Sequence, residues 1–174
     1  KIGYFGSISS SKGITTLINL SKIDLKNDYY IYGGNKKEIQ KLAIKNINKN
    51  LYLKQHVPYK FIAKLMMKMD ILMLPYRKTI HSAGEVDNIA KYTSPLKLFD
   101  YLAVGKVIIS SNLKVLKEVI NHKNAYFVNN FENIYEWKKI INKAKNNKIK
   151  NLIIAKNNLT LSKKFNHVTR VKKY

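Results

Sequence analysis

Residues 93–110, TSPLKLFDYLAVGKVIIS, place a short helix directly before a buried strand. Ser94 suits the N-cap of this helix and Pro95 its first position, so Lys97 falls in the first turn, where unpaired backbone N–H groups point outward. A lysine at that positive end is unfavourable by roughly 0.3–1 kcal/mol unless an anion lies in front of it. The stretch therefore indicates a phosphate site, unless Lys97 and Asp100 simply form a weak solvated pair.

The alternation of helix and strand extends in both directions from this stretch. Apolar runs of strand length alternate with segments whose apolar residues recur at helical spacing. The predicted strands are KIGYFGSI, DYYIYGG, NLYLKQHV, DILMLPY, KVIISSN and AYFV. The predicted helices between them are ITTLINLSKID, residues 35–46, PYKFIAKLMMKM, the helix at Ser94, LKVLKEVI and, last, NFENIYEWKKIINKAKN. Such repeats imply right-handed crossovers, so the predicted fold is an α/β domain with a doubly wound, Rossmann-like parallel sheet over residues 1–174.

Two segments depart from the alternation. Residues 77–92 show no periodic pattern and are predicted to form a loop of about 16 residues, a length that is usually functional or mobile in compact domains. The tail from about Lys148 is polar and compatible with a helix, and it has no apolar core of its own. We expect this tail either to pack across a part of the intact enzyme that is missing here or to stay mobile.

The composition limits the class of protein. The chain has 174 residues, of which 45% are hydrophobic, enough for one folded domain. It contains no cysteine, which excludes disulfides and cysteine nucleophiles and fits a reducing cytoplasm. No apolar run approaches the length of about 18 residues that a membrane-spanning helix needs. The four histidines are scattered, so no metal site is predicted.

The formal net charge of +23 would ordinarily indicate a nucleic acid or an anionic membrane as partner. Only two of the 33 basic residues are arginines, on which base and phosphate recognition depends heavily. The lysines also do not cluster with aromatic residues as they do in single-strand-binding grooves. We therefore expect no nucleic-acid partner, whereas a peripheral contact with anionic lipid is compatible with the charge.

A second phosphate-like segment, GSISSSKG at residues 6–13, joins the first strand to its helix. Its glycines, hydroxyl side chains and Lys12 suit a phosphate cradle, and a serine-rich turn that caps a helix would have the same sequence. The spacing is neither GxxxxGK[ST] nor GxGxxG, so an ATPase or a dinucleotide dehydrogenase is not supported. Since ligands bind beyond the carboxyl ends of parallel strands, Lys12 and Lys97 are expected to face the same ligand.

Together, these segments resemble the C-terminal halves of family-4 retaining glycosyltransferases, which have the GT-B fold of two facing Rossmann-like domains. GSISSSKG is similar to the family's Gly-Arg-Leu-x-x-x-Lys-Gly segment, with Ser7 in place of the arginine. PLKLFDYLAVGKVII resembles its Pro-x-Lys-x-x-Glu-Tyr-Met-Ala-x-Gly-x-Pro-Val-Ile stretch, with Asp100 for the glutamate and Val107 for the second proline. Three further segments resemble family segments in the same order: IYGG, LKQHVPYKFIAKLMMKMDILMLP and LKEVI. The resemblance covers about residues 1–146.

The resemblance implies a nucleotide-sugar-binding domain, with a UDP-sugar as the expected donor and with neither a cofactor nor a metal. Lys12 and Lys97 would be the catalytic cations, because they would stabilise the charge that grows on the departing diphosphate. Asp100 would accept hydrogen bonds from the ribose. The other implied donor-binding residues are Gly6, Ser7, His56, Val57, Thr93, Ser94, Pro95 and Leu96.

One departure from the family concerns its paired acids, which lie eight residues apart. Tyr92 stands eight residues before Asp100, so the first acid is absent unless Glu85 or Asp87 in the predicted loop substitutes for it.

A second departure is the missing arginine at Ser7. It leaves less fixed positive charge, for which Arg77 or Lys97 could compensate.

The resemblance also implies a larger enzyme, because nothing here resembles an acceptor domain. We expect a fragment that binds donor and transfers little sugar by itself. The intact enzyme would be a cytoplasmic hexosyl- or N-acetylhexosaminyltransferase, at the inner face of the cytoplasmic membrane. It would build a bacterial surface polysaccharide such as O-antigen, capsule or lipopolysaccharide, or another lipid-linked glycan. The alternatives are a different nucleotide-binding Rossmann module, marked by a cofactor spectrum, and a basic module that docks on nucleic acid or membrane, marked by a steep salt dependence.

Overall fold

The computed structural model describes residues 1–8, 12–45, 48–77 and 96–165. The strands are β1 (Ile2–Phe5), β2 (Tyr29–Tyr32), β3 (Leu51–Lys54), β4 (Ile71–Leu74), β5 (Val107–Ser111) and β6 (Ala125–Val128). The helices are α1 (Ile14–Ile23), α2 (Lys36–Lys45), α3 (Tyr59–Met67), α4 (Leu96–Ala103), α5 (Lys114–Lys117), α6 (Ile134–Lys145) and α7 (Lys148–Ser162). A 3-10 turn, Lys163–Phe165, follows α7.

The six strands form one sheet in the order β3-β2-β1-β4-β5-β6, and all neighbours run parallel. β1 lies in the middle, where Ile2 pairs with Tyr29 of β2 on one side and with Ile71 of β4 on the other. From β1 the chain adds β2 and β3 on one side of the sheet, and it then adds β4, β5 and β6 on the other side. The direction of winding therefore reverses between β1 and β4. The predicted doubly wound α/β fold is confirmed, and such a reversal is where ligands bind in this class.

The two faces of the sheet bury separate apolar clusters because alternate strand residues point to opposite sides. In β4, all of whose residues are buried, Met73 contributes to the cluster that contains Trp137 of α6. Its neighbours Leu72 and Leu74 contribute to the cluster under α3 and α4. Burial on both faces explains the uninterrupted apolar sequence of this strand.

Two predicted helices differ from the observed ones. The LKVLKEVI helix is limited to a single turn, α5, after which backbone bonds from residues 119 and 120 return to Leu116. Helix α6 starts later than predicted, since the Asn133 side chain accepts from the backbone N–H of Tyr135 and so caps the helix there. The predicted N-cap Ser94 and first helical residue Pro95 lie outside the described residues.

Helix α7 lies across the amino-terminal ends of β5 and β6. The Asn158 side chain is fully buried there, donates to the Lys106 carbonyl at 3.0 Å and accepts from Asn124 at 3.2 Å. Ile154 adds to the core, and Leu159 covers Gly105 at the end of α4. The candidate site described below lies at the opposite, carboxyl edge of the sheet. No described helix has the length and apolar character that crossing a bilayer requires.

Candidate functional site

A cavity of about 260 Å³ opens at the carboxyl ends of β1 and β2, between α3 and α4. Its inner wall is aromatic and aliphatic, with Phe5 stacked on Tyr32 at a ring distance of 4.7 Å. A wider cavity of about 620 Å³ adjoins it and shares Gly6 and His56. The smaller cavity contains six of the predicted donor residues: Gly6, His56, Val57, Leu96, Lys97 and Asp100. The topology therefore collects residues from three separate segments of the chain.

Lys97 reaches from the first turn of α4 over Gly6 to the end of β1. Its Nζ donates to the Tyr4 hydroxyl at 2.9 Å and lies 4.1 Å from the centroid of the Tyr4 ring and 5.1 Å from that of Tyr76. A Cβ atom on residue 6 would lie 2.5 Å from this Nζ. Glycine at position 6 thus makes room for the lysine to cross the strand end.

The environment of Lys97 disfavours its charged form. Burial lowers the pKa of this ammonium group from 10.5 to about 7, and the positive charge of Lys12 contributes in the same direction. The two lysines are therefore close enough to repel each other. None of the ion pairs among the described residues includes Lys97. A bound anion would supply the missing countercharge and raise the pKa.

Asp100, one turn further along α4, is bonded to α3 instead of to Lys97. Its Oδ1 accepts from the Tyr59 hydroxyl at 2.8 Å. The carboxylate raises the pKa of Tyr59, whose side chain is 73% exposed. The weak solvated pair between Lys97 and Asp100 is therefore not formed, and no sequence pattern indicated the Tyr59 contact.

The loop after β1 is held by close backbone approaches. A Cβ on Gly33 would lie 1.8 Å from the Gly6 carbonyl oxygen, so the ends of β1 and β2 touch without side chains between them. At the other end of the loop, Gly13 has the left-handed φ of 77° and caps α1, and a Cβ there would lie 1.7 Å from the Pro75 carbonyl oxygen. The two described ends of the loop are thus fixed by glycines that allow close backbone contact.

Ser7, His56 and Leu96, which were also predicted to bind the donor, lie around this site. The Ser7 carbonyl accepts from Tyr4 at 3.0 Å, and the backbone N–H of His56 donates to Gly34 at 2.9 Å. Leu96 is 69% exposed at the rim.

Arg77, considered for the missing arginine at Ser7, donates instead to Thr15 in the first turn of α1 at 2.9 Å. Several predicted residues fall outside the described part of the chain: Glu85, Asp87, Tyr92, Thr93, Ser94 and Pro95. Among the described residues, no group of three or more histidine, aspartate and glutamate side chains could hold a metal ion.

A family model described as glycosyl transferases group 1 matches residues 1–147. No curated protein sequence matches the chain. Among solved structures, Anabaena Alr3699/HepE in complex with UDP is similar, with a TM-score of 0.76 and 17% identity over 99% of this chain and 46% of that chain. HepE in complex with UDP-glucose gives a TM-score of 0.75, again at 17% identity over 99% and 46% of the chains.

The C-terminal domain of the glycosyl transferase group 1 family protein LpcC from Francisella tularensis is similar as well. Its TM-score is 0.70, with 18% identity over 95% of this chain and 86% of that domain. The chain thus spans about half the length of HepE and most of the length of the LpcC domain. The likeness at these identities concerns the fold.

Proposed function

Because the chain belongs to the glycosyl transferases group 1 family, we propose that it is the donor-binding domain of a retaining glycosyltransferase and that its donor is a UDP-sugar. One observation carries the proposal: the buried Lys97 ammonium group lies over Gly6, in the same cavity as Asp100 and the residues that follow β3. A cation without a paired carboxylate suits a phosphate ligand. HepE, which shares the fold, is described in complex with UDP and with UDP-glucose, and this supports uracil as the base.

In the proposed complex, the diphosphate lies against Lys97, Lys12 and the loop that follows Gly6. Asp100 accepts the ribose hydroxyls, and the base lies against the backbone of His56 and Val57. The implied roles of Thr93, Ser94, Pro95 and Leu96, near the sugar and the phosphate, complete the proposed contacts.

Sugar transfer breaks the bond between the anomeric carbon and the phosphate oxygen and forms a bond from that carbon to an acceptor hydroxyl oxygen, which loses its proton. Negative charge therefore grows on the departing diphosphate. Lys97 and Lys12 are proposed to stabilise that charge, and their effect is larger in the transition state than with donor merely bound. The buried site strengthens this interaction because little water screens it. Donor binding without a metal or a cofactor is part of the proposal.

The acceptor side is proposed to lie in a part of the enzyme outside this chain. The intact enzyme would transfer a hexosyl or N-acetylhexosaminyl group to a bacterial surface polysaccharide, such as O-antigen, capsule or lipopolysaccharide, or to a lipid-linked glycan, in the cytoplasm. The isolated 174 residues would then bind donor with little transfer. Efficient sugar transfer by this chain alone would contradict the proposal that the acceptor site lies outside it.

Calorimetric titration of the protein with UDP, GDP and ADP tests the donor site. We expect saturable binding of UDP with a Kd between about 1 μM and 1 mM, the range in which enzymes commonly hold substrates. Uridine, which lacks phosphates, should bind more weakly and serves as the control for the diphosphate contribution. The absence of saturable binding by all three nucleotides would rule the proposal out.

We also propose that the enzyme contacts anionic lipid through the outer side of α3. Lys60, Lys64 and Lys68 recur every four residues on this exposed side, with Phe61 47% and Met67 62% exposed beside them; these five residues are here called the α3 surface. A row of like charges is unfavourable on a helix unless a negative surface faces it. Exposed apolar side chains beside lysines favour a lipid headgroup region over a nucleic acid.

Flotation with vesicles that contain phosphatidylglycerol measures this contact. Replacing the three lysines of the α3 surface by glutamine should weaken binding by about a hundredfold or more, since each lysine near an anionic surface contributes about 1 kcal/mol. The matched control removes three exposed lysines elsewhere, Lys41, Lys45 and Lys49. Equal loss in both variants would contradict a specific α3 surface, as would tight binding to RNA in place of the vesicles.

A further inference from the structure

The Tyr4 hydroxyl connects the site's buried cation to the loop after β1. Tyr4 is fully buried, and its hydroxyl accepts from Lys97 Nζ at 2.9 Å while it donates to the Ser7 carbonyl at 3.0 Å. A phenol has one proton and two lone pairs. Since its proton goes to Ser7, the hydroxyl meets Lys97 as an acceptor. One atom therefore orients both an ammonium group of α4 and a peptide group of the loop.

The contact with Ser7 determines which way the next N–H points. In a trans peptide, the C=O and the N–H point in opposite directions, and the described chain contains no cis peptide bond. The Ser7 carbonyl turns inward to Tyr4, so the N–H of Ile8 points away from the buried ring. Ser7 and Ile8 both line the wider cavity. The preceding carbonyl, of Gly6, is packed against Gly33 and leaves the strand end little freedom to rotate.

Several charged and titratable groups face the Lys97 ammonium. Tyr4 from β1 and Tyr76 after β4 present their rings, Lys12 adds a repelling charge, and Asp100 on the same helix is bonded to Tyr59. The Tyr4 hydroxyl is thus an uncharged acceptor for an otherwise disfavoured ammonium group. An acceptor of this kind favours the charged form of the lysine.

We propose that Tyr4 is a positioning residue for the donor's phosphates: its hydroxyl holds the Lys97 ammonium group and the Ile8 N–H in the orientations that receive an anion. The proposal rests on the donor site proposed above. Tyr4 itself touches no substrate in this account. Its effect should therefore be confined to ligands that carry phosphate, and it should act through the proton on Lys97.

The variant Tyr4→Phe keeps the ring and removes the hydroxyl. We expect its affinity for UDP to fall about ten- to thirtyfold and its affinity for uridine to stay within about twofold, since hydrogen bonds to charged groups are stronger than neutral ones. Tyr76→Phe is the matched control, because the Tyr76 ring also faces Lys97 Nζ, at 5.1 Å, without a hydrogen bond from its hydroxyl in the described part of the chain. Equal weakening of UDP and uridine would indicate a merely structural role and overturn the proposal.

The pH profile supplies a readout that packing alone would not change. Binding needs the charged lysine, so the affinity for UDP should fall up to tenfold per pH unit above about 7, the pKa of Lys97 in the empty site. Loss of the Tyr4 acceptor lowers that pKa further, and the decline should begin at a lower pH in Tyr4→Phe. An unshifted profile would overturn the proposal.

A measurement on the empty protein separates this proposal from the donor assignment. Titration of the Lys97 side chain by NMR should show a lower midpoint in Tyr4→Phe than in the wild type. Inorganic pyrophosphate should bind more weakly to the variant by a similar ten- to thirtyfold. If the wild type binds no nucleotide, the donor assignment fails, and an unchanged midpoint with unchanged pyrophosphate affinity is the separate result that sinks the role of Tyr4.

Discussion

Replacing Lys97 by methionine is expected to weaken UDP binding about a hundredfold and, at the same time, to stabilise the empty domain. Methionine preserves an unbranched stem and fills irregular space well. It removes the ammonium group that donates to Tyr4 and is proposed to meet the diphosphate. Hydrogen bonds to charged groups contribute about 1.5–3 kcal/mol each, so losing the contacts of one ammonium group accounts for an effect of this size.

The gain in stability follows from proton linkage. The pKa of Lys97 falls from 10.5 to about 7 on folding, so the unfolded state binds more protons between these values. The free energy of unfolding of the wild type therefore rises with pH over this window, by at most about 1.4 kcal/mol per pH unit from this group. Below pH 7, the penalty for holding the buried charge applies in full. The methionine variant avoids this penalty, so its free energy of unfolding should exceed that of the wild type most at pH 6.

Urea denaturation of both proteins at pH 6, 7, 8.5 and 10 measures this difference. We expect the advantage of the variant to shrink steadily as the pH rises toward 10. Lys64→Met on the exposed side of α3 is the control and should change neither stability nor UDP affinity appreciably. A methionine variant that is less stable than the wild type at pH 6, or that binds UDP as tightly, would contradict our account of the site.

Gly13→Ala should lower the free energy of unfolding by about 3 kcal/mol or more. The left-handed φ of 77° costs an L-residue roughly 1–2 kcal/mol, and the new Cβ would lie 1.7 Å from the Pro75 carbonyl oxygen. Backbone must shift to relieve that contact, since no flexible side chain is involved. The loop that carries Lys12 would shift with it, and UDP affinity should fall as well.

Gly105→Ala is the control for the backbone conformation alone. Its φ of 62° is also left-handed, but the atoms nearest to a new Cβ belong to the Leu159 side chain, which can rotate away. We expect a loss of about 1–2 kcal/mol there, the cost of the left-handed conformation. Chemical denaturation ranks the two variants, and a larger loss for Gly105→Ala would refute the role assigned to the Pro75 contact.

The fold could be predicted from the sequence because its evidence is local. The fully apolar run of β4 and the regular alternation of strands with helices indicated a parallel sheet. The order of the family-like segments indicated the glycosyltransferase family, which the match to the family model confirms. The short α5 was missed because periodicity does not show where a helix must end to let the chain enter β6.

Residue contacts in the site were less predictable. Lys97 stood out because a cation in a first helical turn breaks an electrostatic rule. Tyr4 did not, since it is 93 residues away from Lys97 and has the same apolar character as any strand residue. The bond between Tyr59 and Asp100 likewise joins different helices, 41 residues apart. Such pairings arise from tertiary geometry, which strand and helix periods do not encode.

The last helix shows that recognisable sequence and the cooperative folding unit need not have the same limits. The family match ends at residue 147, immediately before α7. Yet Asn158 forms hydrogen bonds with the residues directly before β5 and β6. Leu159 packs against Gly105 at the C-terminal end of α4, the helix that carries Lys97 in its first turn. A protein trimmed to the homologous region would deprive the Asn124 amide and the Lys106 carbonyl of their Asn158 partner. It would also remove the Leu159 contact at Gly105, which follows the end of α4 opposite to Lys97.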